Sequence, residues 1–216
     1  MGIKERKERE KARRRETILK AAEKLYLKHG FDRLTMDKVA EEAELNKATI
    51  YLYFKNKNDL FHALVDKGLS LLHGKISRHV EAANTGLDKI IAVAKAYHEF
   101  HNEEPHYSLA INHEESKDGK TSKISVKELP YYKKTDETGM KIFAVITEAF
   151  AQGKEDGSMR KDVHPPVDAV HLWGYMTGLF MILQRKPEVI RDLLGVGKDT
   201  ILKNITAHIR HTYQPS

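Results

Sequence analysis

The sequence contains no cysteine, only one tryptophan and no long hydrophobic run. The absence of cysteine among 216 residues excludes disulfide bonds and thiolate metal sites, and it suits a reducing cytoplasm, which is the location we expect. No apolar stretch approaches the roughly 18 residues that a membrane-spanning helix needs, so no membrane partner is expected. The densely charged N-terminus predicts no secretory signal.

Charged residues, by contrast, are abundant and unevenly distributed. The chain holds 37 Lys and Arg against 31 Asp and Glu, a net charge of +6, and residues 1–60 hold 16 against 11, which accounts for +5 of it. With 40% hydrophobic residues, the chain is long enough to bury hydrophobic cores. Phosphate binding explains the concentration of positive charge near the N-terminus better than solubility does.

Residues 35–60 carry the pattern around which the chain is organised. Their apolar positions do not fit one amphipathic helix, but they fit two short helices joined by a turn at residues 44–46. Thr35 and Asn46 are suited to cap these two helices, and Leu45 fills the corner between them. This arrangement is a helix-turn-helix, which presents the N-terminal side chains of its second helix to the major groove of DNA.

The same stretch resembles the DNA-binding signature of the TetR family of one-component repressors. The residues that match the family pattern are Thr35, Val39–Ala40, Ala43, Leu45, Tyr51, Tyr53–Phe54, Lys57 and Leu60. The run 18–31 is also similar to the family's first helix and its exit, so the match covers about residues 14–65. Glu44, Asn46 and Ala48 depart from the pattern, and Glu44 in place of Gly predicts a positive φ that costs about 1–2 kcal/mol.

The resemblance implies an all-α fold with two domains. Residues 1–56 would form a three-helix DNA-binding domain with a basic N-terminal arm, and residues 57–216 a larger helical effector-binding and dimerisation domain. Helical periodicity agrees and predicts further helices at about 57–83, 87–102, 107–114, 134–153, 166–184 and 198–211, with a surface loop at 116–130. The implied function is that of a cytoplasmic, homodimeric repressor that binds a palindromic operator and is released by a small-molecule effector.

The recognition helix supplies the first set of expected DNA contacts. Lys47, Ala48 and Thr49 lie at its exposed N-terminal end, where Thr49 can bond to a base edge or touch a thymine methyl. Tyr51 and Tyr53 place hydroxyl groups near the DNA backbone, and the resemblance aligns Tyr51 with a phosphate contact. The alternative for both tyrosines is core packing with a hydrated hydroxyl.

The starts of other helices supply the second set. Thr35 opens the first helix of the motif, and Lys57 opens a helix whose free backbone amides can bind a phosphate together with its ammonium group. Residues 2–15 contain eight Lys and Arg, of which Arg13, Arg14 and Arg15 are the expected phosphate contacts. The arm is expected either to extend the first helix or to stay partly disordered, and the alternative to DNA binding is a solvated charged tail.

The second domain is expected to bind an effector and to dimerise. Two late helices, 166–184 and 198–211, have more apolar surface than one subunit can cover, and Gly174 and Gly178 would allow close helix approach. The resemblance implies that these helices form the homodimer interface. The aromatic and methionine side chains that would line an effector pocket, or would alternatively be ordinary core, are Tyr97, Phe100, Tyr107, Phe143, Trp173, Met176 and Phe180.

Catalytic and metal-binding alternatives have weaker support in the sequence. No pair of residues has a spacing that specifies a nucleophile or an acid–base couple, so no catalytic residue and no cofactor are expected. Four histidines lie close together in the chain, at His98, His101, His106 and His113, but their spacing favours structural roles over a metal sensor. The rival functions are a DNA-architectural protein without an effector and a helical enzyme acting through His98 or His171.

Overall fold

The computed structural model describes residues 2–115, 128–186, 188–193, 195 and 197–215, and in these ranges the chain is helical with no β-strand. Residues 116–127, most of the predicted loop, lie outside the described residues. The helices in chain order are α1 (Ile3–Arg33), α2 (Met36–Glu42), α3 (Lys47–Tyr51), α4 (Lys57–Glu81), α5 (Gly86–Glu103), α6 (Pro105–Glu115), α7 (Pro130–Glu155), α8 (Pro165–Arg185) and α9 (Lys198–Tyr213), with a π-helical turn (Val189–Leu193) before α9. The predicted all-α fold is confirmed.

The described residues form two compact units, the first comprising residues 2–67 and 128–136. In this unit, α1 packs on α2 and α2 on α3. The core consists of fully buried side chains from α1, α2, α3, α4 and the segments between them, including Ile18, Leu34, Val39, Ile50, Phe54, Leu60 and Phe61. Gly30 has a φ of 71°, which interrupts α1 near the predicted end of the first helix. Beside it, the aromatic rings of Phe31 and Phe61 pack with their centroids 4.7 Å apart and close the core.

The start of α7 belongs to the first unit. The helix begins at Pro130, four residues before the predicted start, because Pro is favoured in the first turn of a helix and buried Leu129 anchors the approach. The backbone N–H of Tyr131 donates to the carboxylate of Asp59 at 3.2 Å, and the hydroxyl of Thr135 donates to the carbonyl oxygen of His62 at 3.1 Å. Burial lowers the pKa of His62 to about 4, so this imidazole is neutral at pH 7.

The second unit comprises residues 68–115 and 137–215 as far as they are described. Its central helix is α5, which packs against α6, α8 and α9. The apolar faces of these helices and of α7 form one core, which includes Ile90, Val93, Phe100, Ile146, Phe150, Met176, Ile205 and Ile209. The backbones of α5 and α7 touch at Gly86, where a β-carbon would lie only 2.0 Å from the amide nitrogen of Gly153.

The remaining helix predictions agree with the structure within a few residues at each end. Two prolines open α8, and the π-helical turn lies between α8 and α9. No helix in the described ranges combines the length and the apolar character that crossing a bilayer requires. The predicted division of the chain between residues 56 and 57 stays a prediction.

Candidate nucleic-acid interface and effector cavity

The α2–α3 pair has the geometry of a helix-turn-helix, and its capping residues are those that the sequence predicted. The side chain of Thr35 accepts a hydrogen bond from the N–H of Lys38 at 3.3 Å, and that of Asn46 accepts one from the N–H of Thr49 at 3.3 Å. Glu44 has a φ of 54°, the positive value expected where the family has Gly. The turn therefore stores about 1–2 kcal/mol of backbone strain, which the packing of α2 on α3 offsets.

The short helix α3 presents its predicted contact residues to solvent. Lys47 and Ala48 are exposed and Thr49 is half-buried, while Ile50 is fully buried and fixes the rotation of the helix. The ammonium group of Lys47 is paired with Asp37 at the start of α2, and this hydrogen bond raises the pKa of Lys47. A phosphate or base would therefore compete with Asp37 for Lys47.

The two tyrosines of the motif differ in exposure. Tyr51 is 48% exposed and lies beside Leu52, which is 80% exposed, whereas Tyr53 is half-buried and the following Phe54 is in the core. The hydroxyl of Tyr51 is thus free to approach a backbone next to the recognition helix. Tyr53 fits the alternative reading of a ring at the edge of the core better than Tyr51 does.

Lys57 has an intramolecular role that the sequence did not reveal. Its ammonium nitrogen donates to the carbonyl oxygen of Phe31 at 3.0 Å and lies 4.0 Å from the centre of the Phe31 ring. It thereby ties the first turn of α4 to the segment after the kink in α1. An ammonium group has three donor hydrogens, so this contact does not prevent a second bond to a phosphate.

The basic arm is helical. Residues 2–17 are exposed along their whole length, and α1 continues through them from Ile3 without interruption. Arg14 pairs with Glu10 at 3.4 Å, an exposed contact of the kind that contributes little stability. Arg13, Arg14 and Arg15 therefore lie on a continuous helix.

The second unit contains a small, mostly enclosed cavity of about 40 Å³ between α4, α5, α6 and α8. Four of the seven predicted pocket residues line it, namely Tyr97, Phe100, Met176 and Phe180. Tyr107 is buried nearby without being part of the lining, Phe143 packs against the core from α7, and Trp173 is 45% exposed on α8. The remaining lining residues were not predicted and are Leu69, Leu72, His101, Ser108, Ile111, Asn112 and Thr177.

The polar groups that line this cavity come from α5, α6 and α8. Nδ1 of His101 lies 3.4 Å from the hydroxyl of Ser108, and the amide of Asn112 donates to the side-chain oxygen of Gln184 at 2.8 Å. The ring of His101 packs against Phe180 with centroids 4.6 Å apart. Ile111 and Asn112 follow Ser108 by three and four residues, which places the three side chains on one face of α6. This spacing is the signal that could have identified them as lining residues from the sequence.

The histidines that the sequence singled out lie on α5, α6 and α8. In the part of the chain that the structure describes, no three His, Asp or Glu side chains converge as metal ligands would. His98 contacts the amide of Asn102, and the ring of His106 packs on Tyr107. His171 is exposed on α8, 3.8 Å from Asp168, and lies outside the cavity lining.

The helix α8 has an exposed apolar face. Val167, Val170 and Trp173, at three-residue spacing, are 45–49% exposed, and Ile182 is 54% exposed. No described atom lies within 4 Å of a β-carbon built on Gly174 or Gly178, so another helix could approach closely there. Stacking of Tyr175 on His208, with centroids 5.5 Å apart, joins α8 to α9.

Comparisons with known proteins agree with the helix-turn-helix. Residues 18–64 match the family described as bacterial regulatory proteins, tetR family. The chain is 38% identical to YhgD of Bacillus subtilis (strain 168), an HTH-type transcriptional regulator, over 68 residues, which are 32% of this chain and 36% of YhgD. Matches with the first three curated relatives span only 20–36% of the length of those proteins.

Solved structures extend the likeness of fold to nearly the whole chain. FadR of Bacillus subtilis in complex with stearoyl-CoA is 14% identical and superposes with a TM-score of 0.70, covering 89% of this chain and 96% of FadR. AibR in complex with isovaleryl coenzyme A and operator DNA is 20% identical, with a TM-score of 0.67 over 90% of this chain and 97% of AibR. Residues 18–64 therefore form a DNA-binding domain of the TetR type, and the fold of nearly the whole chain is similar to the folds of FadR and AibR.

Proposed function

We propose that this protein is a sequence-specific transcriptional regulator, most simply a repressor, that binds a palindromic operator as a homodimer and is released by a small-molecule effector. DNA binding is assigned to residues 1–56, and effector binding and dimerisation to residues 57–216. The observation that carries the proposal is the capped α2–α3 pair, which presents Lys47, Ala48 and Thr49 to solvent above a fully buried Ile50. One short recognition helix gives modest affinity, so two of them must read half-sites about 34–36 Å apart.

Selection of bound duplexes from a random pool tests the DNA-binding part of the proposal. We expect a two-fold symmetric consensus, bound much more tightly than scrambled DNA of the same composition. A pool without a consensus, bound equally well at low salt and lost steeply as salt rises, would instead favour a DNA-architectural protein. Failure to bind any duplex would refute the proposal.

The cavity supports an uncharged, largely apolar effector. Among the described residues that line it, none is Lys, Arg, Asp or Glu, so an ionised group buried there would lack a partner of opposite charge. A carbonyl or hydroxyl group of the ligand could bond to its polar lining residues, which are His101, Ser108, Asn112 and Thr177. With a volume of about 40 Å³ it holds little more than water, so a ligand must displace side chains to enter.

Acyl thioesters are the first compounds to test, because the solved structures of FadR and AibR contain stearoyl-CoA and isovaleryl coenzyme A. The acyl chain fits the apolar walls, whereas the phosphates of coenzyme A would have to remain outside. Thermal-shift titration with acyl-CoAs of increasing chain length, against free coenzyme A as control, measures binding. An effector that binds tightly but leaves operator affinity unchanged would disprove the proposed release, because allostery is a coupling free energy between two sites.

The long helix α4 is the proposed connection between effector and operator. Its first residues, from Lys57, belong to the unit that contains the helix-turn-helix, and Leu69 and Leu72 on the same helix line the cavity. A ligand that displaces these leucines would act directly on α4. The homodimer is assigned to α8 and α9, because the exposed apolar face of α8 is of the kind that marks protein–protein interfaces.

A further inference from the structure

The helical arm carries a one-sided stripe of positive charge. At 100° per residue, Lys4, Lys7, Lys11 and Arg14 fall within a sector of about 80° on α1, and Glu5, Glu8 and Glu10 all fall outside it. We call these four residues the cationic stripe. Within the part of the chain that the structure describes, Lys4, Lys7 and Lys11 form no ion pair, and only Arg14 is paired, with Glu10.

The cationic stripe continues the buried face of α1. The members of the stripe are three or four residues apart, and the same spacing continues from Arg14 to Ile18, Ala22 and Leu25. These three side chains are buried in the core of the first unit. This face of α1 therefore lies against the core to which α2 and α3 contribute the fully buried Val39 and Ile50. Arg6, Arg9 and Arg13 occupy the opposite face of the arm, where Glu5 and Glu16 lie among them.

The dimensions and charge of the arm match a DNA backbone. Residues 2–17 are exposed, so about 22 Å of helix projects beyond the core, and the stripe itself spans about 15 Å. A DNA strand carries one phosphate per ~3.4 Å of helix axis, which places several phosphates along that length. The free N–H groups and the positive end of the helix dipole at the N-terminus add to the attraction.

We propose that α1 extends the DNA-binding surface as a rigid arm, in which Lys4, Lys7 and Lys11 bind phosphates of the duplex flanking the operator half-site. The inference rests on the proposed function and changes one of its details, because Arg13 lies on the face of the arm opposite the cationic stripe. The arm contacts the DNA backbone without reading bases. The three lysines present point charges to the phosphates rather than the bidentate donors that read base edges.

A matched pair of triple variants tests this inference in the full-length protein. K4Q/K7Q/K11Q removes three charges from the stripe, and R6Q/R9Q/R13Q removes three charges from the opposite face. Gln has a helix propensity similar to that of Lys and Arg, so both variants should keep the arm helical. Circular dichroism would verify this. We expect the stripe variant to flatten the slope of log K against log salt by about 2 to 3 for each bound arm. The opposite-face variant should change the slope by less than 1.

The affinity for operator and for random duplex should fall together in the stripe variant, on the order of 10²-fold at 0.1 M salt, while the consensus sequence stays the same. Equal effects of the two triples would show that net charge alone acts at a distance, and would overturn the inference. An unchanged slope in the stripe variant would overturn it while leaving the proposed function intact. If the wild-type chain binds no duplex, both the inference and the proposed function are refuted.

Discussion

Thr49 is the residue whose role in base recognition can be separated most cleanly from its role in folding. Its backbone N–H is bonded to the Asn46 side chain, whereas its own side chain is half-buried at the exposed end of α3. The cap therefore depends on the identity of residue 46 and not on that of residue 49. A change of the Thr49 side chain alters the surface offered to DNA and leaves the helix intact.

Thr49→Ala should relax the sequence preference and cost about 1–3 kcal/mol in binding the operator, with little change on random duplex. Stability should be nearly unchanged, because Ala favours helix more than Thr does. Asn46→Ala is the control, because it removes the cap and should lower the free energy of unfolding by about 1 kcal/mol. Equal losses on operator and random duplex for Thr49→Ala would assign Thr49 to the backbone instead.

Lys57 combines a structural contact with its expected role in DNA binding. Because its ammonium group bonds to the Phe31 carbonyl, Lys57→Met should lower the free energy of unfolding by about 1–2 kcal/mol in urea titrations. It should also weaken all duplexes alike and flatten the salt dependence by about 1 if a phosphate is bound as well. Lys55→Met is the matched control, since Lys55 is exposed two residues earlier.

For Lys57→Met, unchanged DNA binding together with lower stability would confine Lys57 to its contact with Phe31. A changed consensus sequence would mean that Lys57 reads a base, the reverse of the role assigned here.

Among the helices, α4 and α7 share a single capping carboxylate. Asp59, which is only 1% exposed, accepts a hydrogen bond from the N–H of Lys55 at 2.9 Å and another from the N–H of Tyr131 at 3.2 Å. The Asn56 side chain accepts from the N–H of Asp59 at 2.9 Å and completes the cap of α4. One buried side chain thus satisfies N–H groups next to the recognition helix and at the start of α7.

Asp59→Ala should therefore destabilise the protein more than loss of an ordinary helix cap does, by about 2–3 kcal/mol, because two part-buried hydrogen bonds are lost and two N–H groups lose their acceptor. The midpoint of urea unfolding measures this loss. Asp37→Ala is the control, since Asp37 also lies in a first helical turn but is exposed, and its loss should cost only a few tenths of a kcal/mol. Similar losses for the two variants would show that the Tyr131 contact contributes nothing.

The same carboxylate illustrates what the sequence could and could not predict. The capping roles of Thr35 and Asn46 depend on neighbours three residues away, so the local pattern was enough to identify them. The bond from Asp59 to Tyr131 joins residues 72 positions apart, and no local pattern encodes it. Only four of the eleven residues that line the cavity were predicted, for a similar reason, because periodicity identifies the apolar face of a helix but not the helix against which it packs.

At the scale of the whole molecule, the charge and the apolar surface are separated along the chain. The first 60 residues carry +5 of the net charge of +6, and the largest exposed apolar side chains of α8 lie between residues 167 and 182. A protein that used both surfaces would bind a polyanion near its N-terminus and pair with a second copy near its C-terminus. The proposed dimer therefore leaves both basic arms available to DNA.

Val170→Glu should convert the protein to a monomer at micromolar concentration, as sedimentation velocity would show. In a two-fold symmetric interface each residue occurs twice, so one substitution buries two unpaired charges and should weaken the dimer by at least ~100-fold. The monomer should bind half-sites only weakly. Met140→Glu is the control, because Met140 is 59% exposed on α7 and lies outside the proposed interface. If Met140→Glu dissociates the dimer and Val170→Glu does not, the interface is formed by α7, and α8 must have another partner.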